Sequence, residues 1–293
     1  MNKELAEKLL KELKSSKEQS KLARGLGYKS VRAYREFLEG HLTVAEKKVK
    51  KTVIKEELTD LVIAFDTTGS MGSYIGAVKN HVKDLIPKMF KQNPNLKVSV
   101  VAFGDYCDKQ TASEFGNAYQ VIDLTDNANE LIDFVAKAKD TAGGDADEFY
   151  ELVIRKINNE TSWRAGSNKS VLFIGDCNPH PVGYVHSKVN EKNNKNTIDW
   201  RVEAKFAAKF GIKYDTLAIT SVKWYKELSQ ITGGLNLPFS NSKETADLLE
   251  ATSLARGGSA TADAFYTTSA SAKVSASGDL TAVYGMYKTI VNK

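Results

Sequence analysis

The sequence predicts a doubly wound, mostly parallel α/β sheet preceded by a helical extension. Three observations carry that expectation: short apolar runs from Leu58 onward, helix-patterned stretches between them, and acids at the ends of three of the runs.

Four runs, LTDLVIAF (58–65), LKVSVVAF (96–103), KSVLFIGD (169–176) and IKYDTLAIT (212–220), are rich in Val, Ile and Phe and nearly continuous in apolar character. Strands with helices on both faces read this way because neither face meets water. Helix-like segments separate them, at about Ser73–Lys91, Asn127–Lys139, Asp147–Asn159, Thr197–Phe210 and Lys223–Thr232. Such alternation implies right-handed crossovers and a parallel sheet. AYQVIDL (118–124) follows its predecessor too closely for an intervening helix, so it is expected as an antiparallel edge strand. A short strand near 235–239 and a helix from Ser242 to about Ala255 complete the set.

Residues 1–56 form a separate, basic extension. Leu5, Leu9, Leu10 and Leu13 recur at helical spacing, a second helix is expected over Ser16–Leu26, and Val31, Tyr34, Phe37 and Leu38 mark a third. Residues 1–55 carry a net charge of +8, leaving −3 for the rest of the 293-residue chain. KEQSKLARGLGYKSVRAYREF has a faint helix-turn-helix character, with Lys29, Arg32 and Arg35 placed to meet phosphates. Glu36 stands where a buried residue is needed, which favours packing or self-association over DNA binding. The α/β domain is expected over 57–256. Residues 257–293 read as a Gly/Ser/Ala/Thr-rich tail whose end, with Leu280, Val283, Tyr284, Tyr287, Ile290 and Val291, has enough apolar surface to dock.

No apolar stretch approaches the roughly 20 residues a membrane helix needs, so no membrane association is expected. The charged N-terminus lacks the pattern of a secretory signal, and two cysteines, Cys107 and Cys177, make no disulfide framework. A cytoplasmic location and free thiols are the expectation.

In an open α/β sheet the ligand site lies beyond the carboxyl ends of the strands, where the strand order reverses. Asp66 closes the first strand, Asp105 follows the second, and Asp176 closes VLFIGD. If the first strand lies between the other two, Asp66 and Asp176 converge. Two carboxylates in a buried crevice repel unless a proton or a cation neutralises them. Thr68 and Ser70 add hydroxyl oxygens behind Asp66, and Gly69 and Gly72 ease a tight turn. Oxygen-only donors suit Mg²⁺ or Mn²⁺ first and Ca²⁺ second, rather than zinc. The plainer alternative is that Thr68 or Ser70 caps the following helix and Asp66 is a hydrogen-bonded strand terminus.

FDTTGSM (65–71) resembles the Asp-x-Ser/Thr-x-Ser signature of the von Willebrand factor A domain family, with its metal-ion-dependent adhesion site. LFIGDCNPH (172–180) resembles that family's later strand with its metal-site aspartate and the Pro-His pair of several intracellular members. TAGGDADEFYELV (141–153) is similar to the Gly-Gly loop opening the helix between them. The resemblance covers roughly 57–256 and implies a Rossmann-like sheet with metal ligands at Asp66, Thr68, Ser70 and Asp176. Asp145 stands where many members supply a threonine; Thr141 is the only threonine nearby. The resemblance further implies a non-catalytic module whose metal is completed by a Glu or Asp of a partner protein, often within a multiprotein assembly.

The enzymatic alternative is a Mg²⁺-dependent phosphohydrolase with Asp66 as nucleophile. That chemistry needs a second acid two positions later, and Thr68 occupies it. No phosphate-binding glycine loop is present. Cys177, His180 and His186, with or without Cys107, match no closed zinc spacing, and no orienting partner for either histidine is evident. Cys177 is expected to be buried, Asp105 and Asp108 to form an acidic rim or cap turns, and Trp163, Trp200 and Trp224 to pack in the core.

Overall fold

The computed structural model describes residues 58–108, 116–185, 195–219, 222–238 and Arg256. The expected N-terminal helices, the helix over 242–255 and the tail 257–293 lie outside the described residues.

The main sheet has six strands: β1 (Thr59–Asp66), β2 (Leu96–Phe103), β3 (Tyr119–Thr125), β4 (Asn168–Gly175), β5 (Ile212–Ala218) and β6 (Asn236–Pro238). Their spatial order is β3-β2-β1-β4-β5-β6. All neighbours are parallel except β2 and β3, which pair antiparallel. Every residue of β1 is buried, as its central place and the apolar run Leu61–Phe65 require. β3 is the edge strand expected from the short connection before it, and Val121 on it remains 49% exposed.

Among the described residues, five α-helices cover the two faces. On one side α1 (Gly72–Gln92) and α2 (Ala128–Lys137) pack Ile75, Val78, Leu131 and Val135 against Leu61, Ile63 and Phe65 of β1. On the other, α3 (Tyr150–Glu160), α4 (Trp200–Lys209) and α5 (Lys223–Thr232) pack Ile154, Ala204 and Leu228 near Val62, Ala64 and Phe173. Period-two alternation along β1 thus feeds two cores, which is why the strand shows no polar face. Trp200 and Trp224 are buried in the second core, and Trp163 packs at its margin. No helix of the described residues is long and apolar enough to cross a membrane.

Two helix starts differ from the sequence expectation. α3 begins at Tyr150 rather than Asp147, because Asp147–Glu148 pairs instead as a two-residue parallel strand with Asn178–Pro179. α4 begins at Trp200 rather than Thr197, since Asn196 Oδ1 accepts the Ile198 N–H at 2.8 Å and Asp199 caps the helix by accepting the Arg201 N–H at 2.8 Å.

The topology decides where a ligand can bind. The chain leaves β1 toward β2 on one side and later returns to β4 on the other, so the order reverses at β1. Register places Asp66 opposite Phe103 and Phe65 opposite Ile174. Asp66 and Asp176 therefore both sit at the carboxyl rim of adjacent strands.

Candidate metal centre

After Asp66 the chain passes through Thr67 and Thr68 into a short 3₁₀ turn, Gly69–Met71, and then α1. The Thr68 N–H and the Thr68 hydroxyl both donate to Asp66 Oδ1, each at 2.7 Å. Thr68 Oγ1 lies 3.3 Å from Ser70 Oγ, and Ser70 Oγ lies 3.8 Å from Cys177 Sγ. Thr68 makes no side-chain capping bond, and the residue preceding α1 is Met71. The hydroxyls face Asp66 and each other, so helix capping does not account for them.

Tyr150, the first residue of α3, ties Asp66 to the end of β4. Its hydroxyl donates to Asp66 Oδ2 and accepts the Asp176 N–H at 3.2 Å and the Cys177 N–H at 3.3 Å. The Cys177 thiol is half-buried rather than enclosed, and donates to Asp176 Oδ1 at 3.2 Å. Gly175 makes this junction possible, since a Cβ there would overlap the Tyr150 and Tyr225 hydroxyl oxygens. Sequence reading missed Tyr150 because its partners are brought to it only by the fold.

Burial pushes the Asp66 carboxyl up to about 7; the Asp176 charge adds to the effect, and the Tyr150 and Thr68 bonds oppose it. Near neutral pH the carboxyl thus shares its site with a proton, the situation a bound cation would replace. Glu148 is more extreme: burial, followed by the charges of Asp66, Asp105, Asp108 and Asp145, pushes it up to about 10.

Thr141 and Asp145 make other contacts. The Thr141 hydroxyl lies 3.0 Å from that of Thr67, and the Thr141 N–H donates to Thr67 O at 2.9 Å, laying this loop along the turn after β1. Asp145 is grouped with Asp105 and His180, and its Oδ2 accepts from the Tyr184 hydroxyl at 2.7 Å. The structure therefore gathers Asp66, Thr68 and Ser70, sets Asp176 beside them through Tyr150, and seats Asp145 in a neighbouring cluster. Asp108 caps backbone, accepting the Ala142 and Gly143 N–H groups at 3.0 and 3.2 Å. His180 does have an orienting partner: its Nε2 meets Asp105 Oδ1 at 2.7 Å, from 75 residues away in sequence. His186 lies outside the described residues, and His81 is half-buried on α1.

Residues 60–277 match the model of the von Willebrand factor type A domain. The chain belongs to that family. A von Willebrand A domain is a protein-interaction module, and the match covers all of the sheet but Thr59. Among curated proteins, a protein of Acanthamoeba polyphaga mimivirus named as an ariadne-like RING finger protein is 22% identical over 200 residues, 64% of this chain. The matched region spans only 19% of that relative's length. Among solved structures, the VWA domain of SpRpn10 is similar at a TM-score of 0.45 and 16% identity, over 66% of this chain and 94% of that one. The pilus adhesin SpaC from Lactobacillus rhamnosus GG, in an open conformation, is similar at 0.48 and 15%, over 67% and 29%.

The Tyr150 hydroxyl gives a direct test of how the rim is held. Tyr150→Phe keeps the buried ring but strips a donor from Asp66 and an acceptor from two backbone N–H groups, an expected loss of about 1–3 kcal/mol. Urea unfolding of the two proteins measures it; a difference under about 0.5 kcal/mol would show that the hydroxyl does not hold the rim together.

Proposed function

We propose that this von Willebrand A domain is a metal-dependent protein-interaction module whose cation, Mg²⁺ or else Mn²⁺ or Ca²⁺, is held by Asp66, Thr68, Ser70 and Asp176. The single observation that carries the reading is Asp66 itself: a fully buried carboxyl at a strand end, beside a second acid, with the Thr68 hydroxyl turned on it and the Ser70 hydroxyl next to that of Thr68 rather than on the helix. The donor set fits a hard cation, being all oxygen, of mixed charge and seated at the point where the strand order reverses.

When bound, such an ion would offer an electrophilic position that a Glu or Asp of a partner protein completes. The chain's own groups do the rest. Thr68 holds Asp66 in place from backbone and side chain, Tyr150 fixes the spacing of Asp66 and Asp176, and the start of α1 behind Ser70 favours an incoming carboxylate. Position 68, where a phosphohydrolase would need its acid, carries a hydroxyl that donates to Asp66, which supports binding rather than turnover. The described residues hold no disulfide and both cysteines are partly accessible, in keeping with a reducing compartment such as the cytoplasm.

The reading is tested by titrating Mg²⁺ into wild type and Asp66→Ala by calorimetry, alongside pull-downs from cell extract in Mg²⁺ and in EDTA. Wild type is expected to bind one Mg²⁺ at this site and to retain acid-dependent partners only in Mg²⁺; Asp66→Ala is expected to do neither. Equal Mg²⁺ binding and equal partner capture by the two proteins would sink the proposal.

A further inference from the structure

A second set of metal-ligating side chains lies outside the Asp66 group. Ligand atoms of Asp105, Asp145 and His180 lie within 4.8 Å of one another. They arrive from three separate loops at the same rim: Asp105 after β2, Asp145 before α3 and His180 after β4. No local sequence pattern could have shown them together.

The set is held by a second layer of contacts. The Tyr184 ring stacks on the His180 imidazole with centroids 3.7 Å apart and planes at 17°, while its hydroxyl donates to Asp145 Oδ2. Asp145 Oδ1 accepts the Asp147 N–H at 3.2 Å, and Asp105 Oδ2 accepts the Cys107 N–H at 3.4 Å. The His180 backbone N–H is anchored on Glu151 Oε2 at 3.0 Å. Ligand side chains of metal sites are characteristically oriented by such outer partners.

Two buried polar atoms indicate that the set is not a satisfied core network. His180, only 1% exposed, has Nδ1 without a partner, and Glu148, 2% exposed, has Oε2 without one. A histidine retained only for packing would be expected to satisfy both ring nitrogens. Glu148 stands between the two rim groups: a Cβ on Gly143 would lie 2.8 Å from Glu148 Oε1 and 3.4 Å from the Thr68 Cβ, and the carboxyl feels the charges of Asp105 and Asp145 as well as that of Asp66. Two carboxylates, Asp105 buried and Asp145 exposed, therefore meet one imidazole at the rim, with the buried Glu148 carboxyl close by.

We infer that Asp105, Asp145 and His180 form a second divalent-cation site, separate from that of Asp66, which takes a transition-metal dication of the Zn²⁺ class in preference to Mg²⁺. The imidazole sets the preference, because nitrogen ligation favours Zn²⁺ and its neighbours whereas Mg²⁺ selects oxygen. Three protein ligands leave a coordination position open, so the ion would keep a water or accept an outside group.

The test is equilibrium dialysis of the full chain, stripped with chelator, against Zn²⁺ in excess Mg²⁺, with metal content read by elemental analysis. Wild type and Asp66→Ala are both expected to hold one Zn²⁺ per chain. Asp145→Asn, a change at an exposed residue that leaves the fold intact by circular dichroism, is expected to weaken Zn²⁺ at least about tenfold, and His180→Ala to do the same. Co²⁺ substitution adds a spectroscopic reading, its visible bands shifting in His180→Ala. The inference is overturned if wild type holds no Zn²⁺, if Zn²⁺ is lost in Asp66→Ala, or if it is lost in Cys107→Ser and Cys177→Ser while Asp145→Asn keeps it. Loss of Mg²⁺ alone in Asp66→Ala leaves this site standing and bears only on the function proposed above.

Discussion

The metal-free protein is expected to lose stability between about pH 4 and pH 7 relative to Asp66→Asn, and Mg²⁺ to restore it most above that range. The folded chain raises the Asp66 carboxyl from its usual 3.8 to about 7, chiefly through burial and then through Asp176. Between those values the folded state holds a proton that the unfolded state has released, so stability falls as pH rises. At 1.4 kcal/mol per pH unit the full penalty is on the order of 4 kcal/mol, reached above pH 7. Glu148, raised from 4.5 to about 10, acts in the same direction over a wider window. Asparagine at 66 keeps an acceptor for the Thr68 N–H and carries no charge, so its gain over wild type in EDTA should grow with pH. A bound cation must displace the proton, which makes Mg²⁺ stabilisation weak at pH 5 and strong at pH 8. Urea unfolding of both proteins at stepped pH, in EDTA and in Mg²⁺, measures all of this. Parallel profiles in EDTA would show that Asp66 is not the titrating strain; equal Mg²⁺ stabilisation of the two proteins would show that the cation does not bind there.

What the sequence disclosed divides along sequence distance. β1 was legible because Leu61–Phe65 is an unbroken apolar run that feeds cores on both faces; its place between β2 and β4 followed from taking it as the strand where the winding begins. Asp66, Thr68 and Ser70 were legible together because one turn of five residues carries them. The start of α3 was not, since the Asp147–Glu148 backbone is drawn off by Asn178–Pro179, a partner 31 residues away that no local propensity reports. The same limit hid the joining of Asp145 to Asp105 and His180. Tyr150 and Glu148 read locally as helix-start residues, and only the packing of α3 under the rim turns one into a clamp and the other into a buried acid. Cys177 was expected inside and is half-exposed, because it has passed the end of β4 and sits on the rim.

Arg256→Ala is expected to destabilise the α/β domain by about 3–5 kcal/mol, the range typical when one member of a buried ion pair is removed. Arg256 Nε and Nη2 donate to Asp215 Oδ2 and Oδ1 at 2.6 and 2.7 Å, with both side chains buried. Asp215 belongs to β5 and also accepts the Leu235 N–H at 2.8 Å, so it joins Arg256 to Leu235, the residue preceding β6, through one carboxylate. Alanine at 256 leaves that carboxylate buried and without its counter-charge. The pair as a whole is worth far less than the cost of breaking it, because two charges were taken out of water to form it. The double change Asp215→Asn with Arg256→Met should therefore recover much of the loss, asparagine retaining an acceptor for Leu235. If Arg256→Ala shifted the urea midpoint no more than an exposed arginine such as Arg201 does, the pair would not brace β5 and β6. The prediction also separates two kinds of acid in this sheet. Asp215 is neutralised by an arginine of its own chain and is structural, whereas the buried Asp66 carboxyl at the rim is held by the Thr68 and Tyr150 hydroxyls, neutral donors that leave its charge to a proton or a cation.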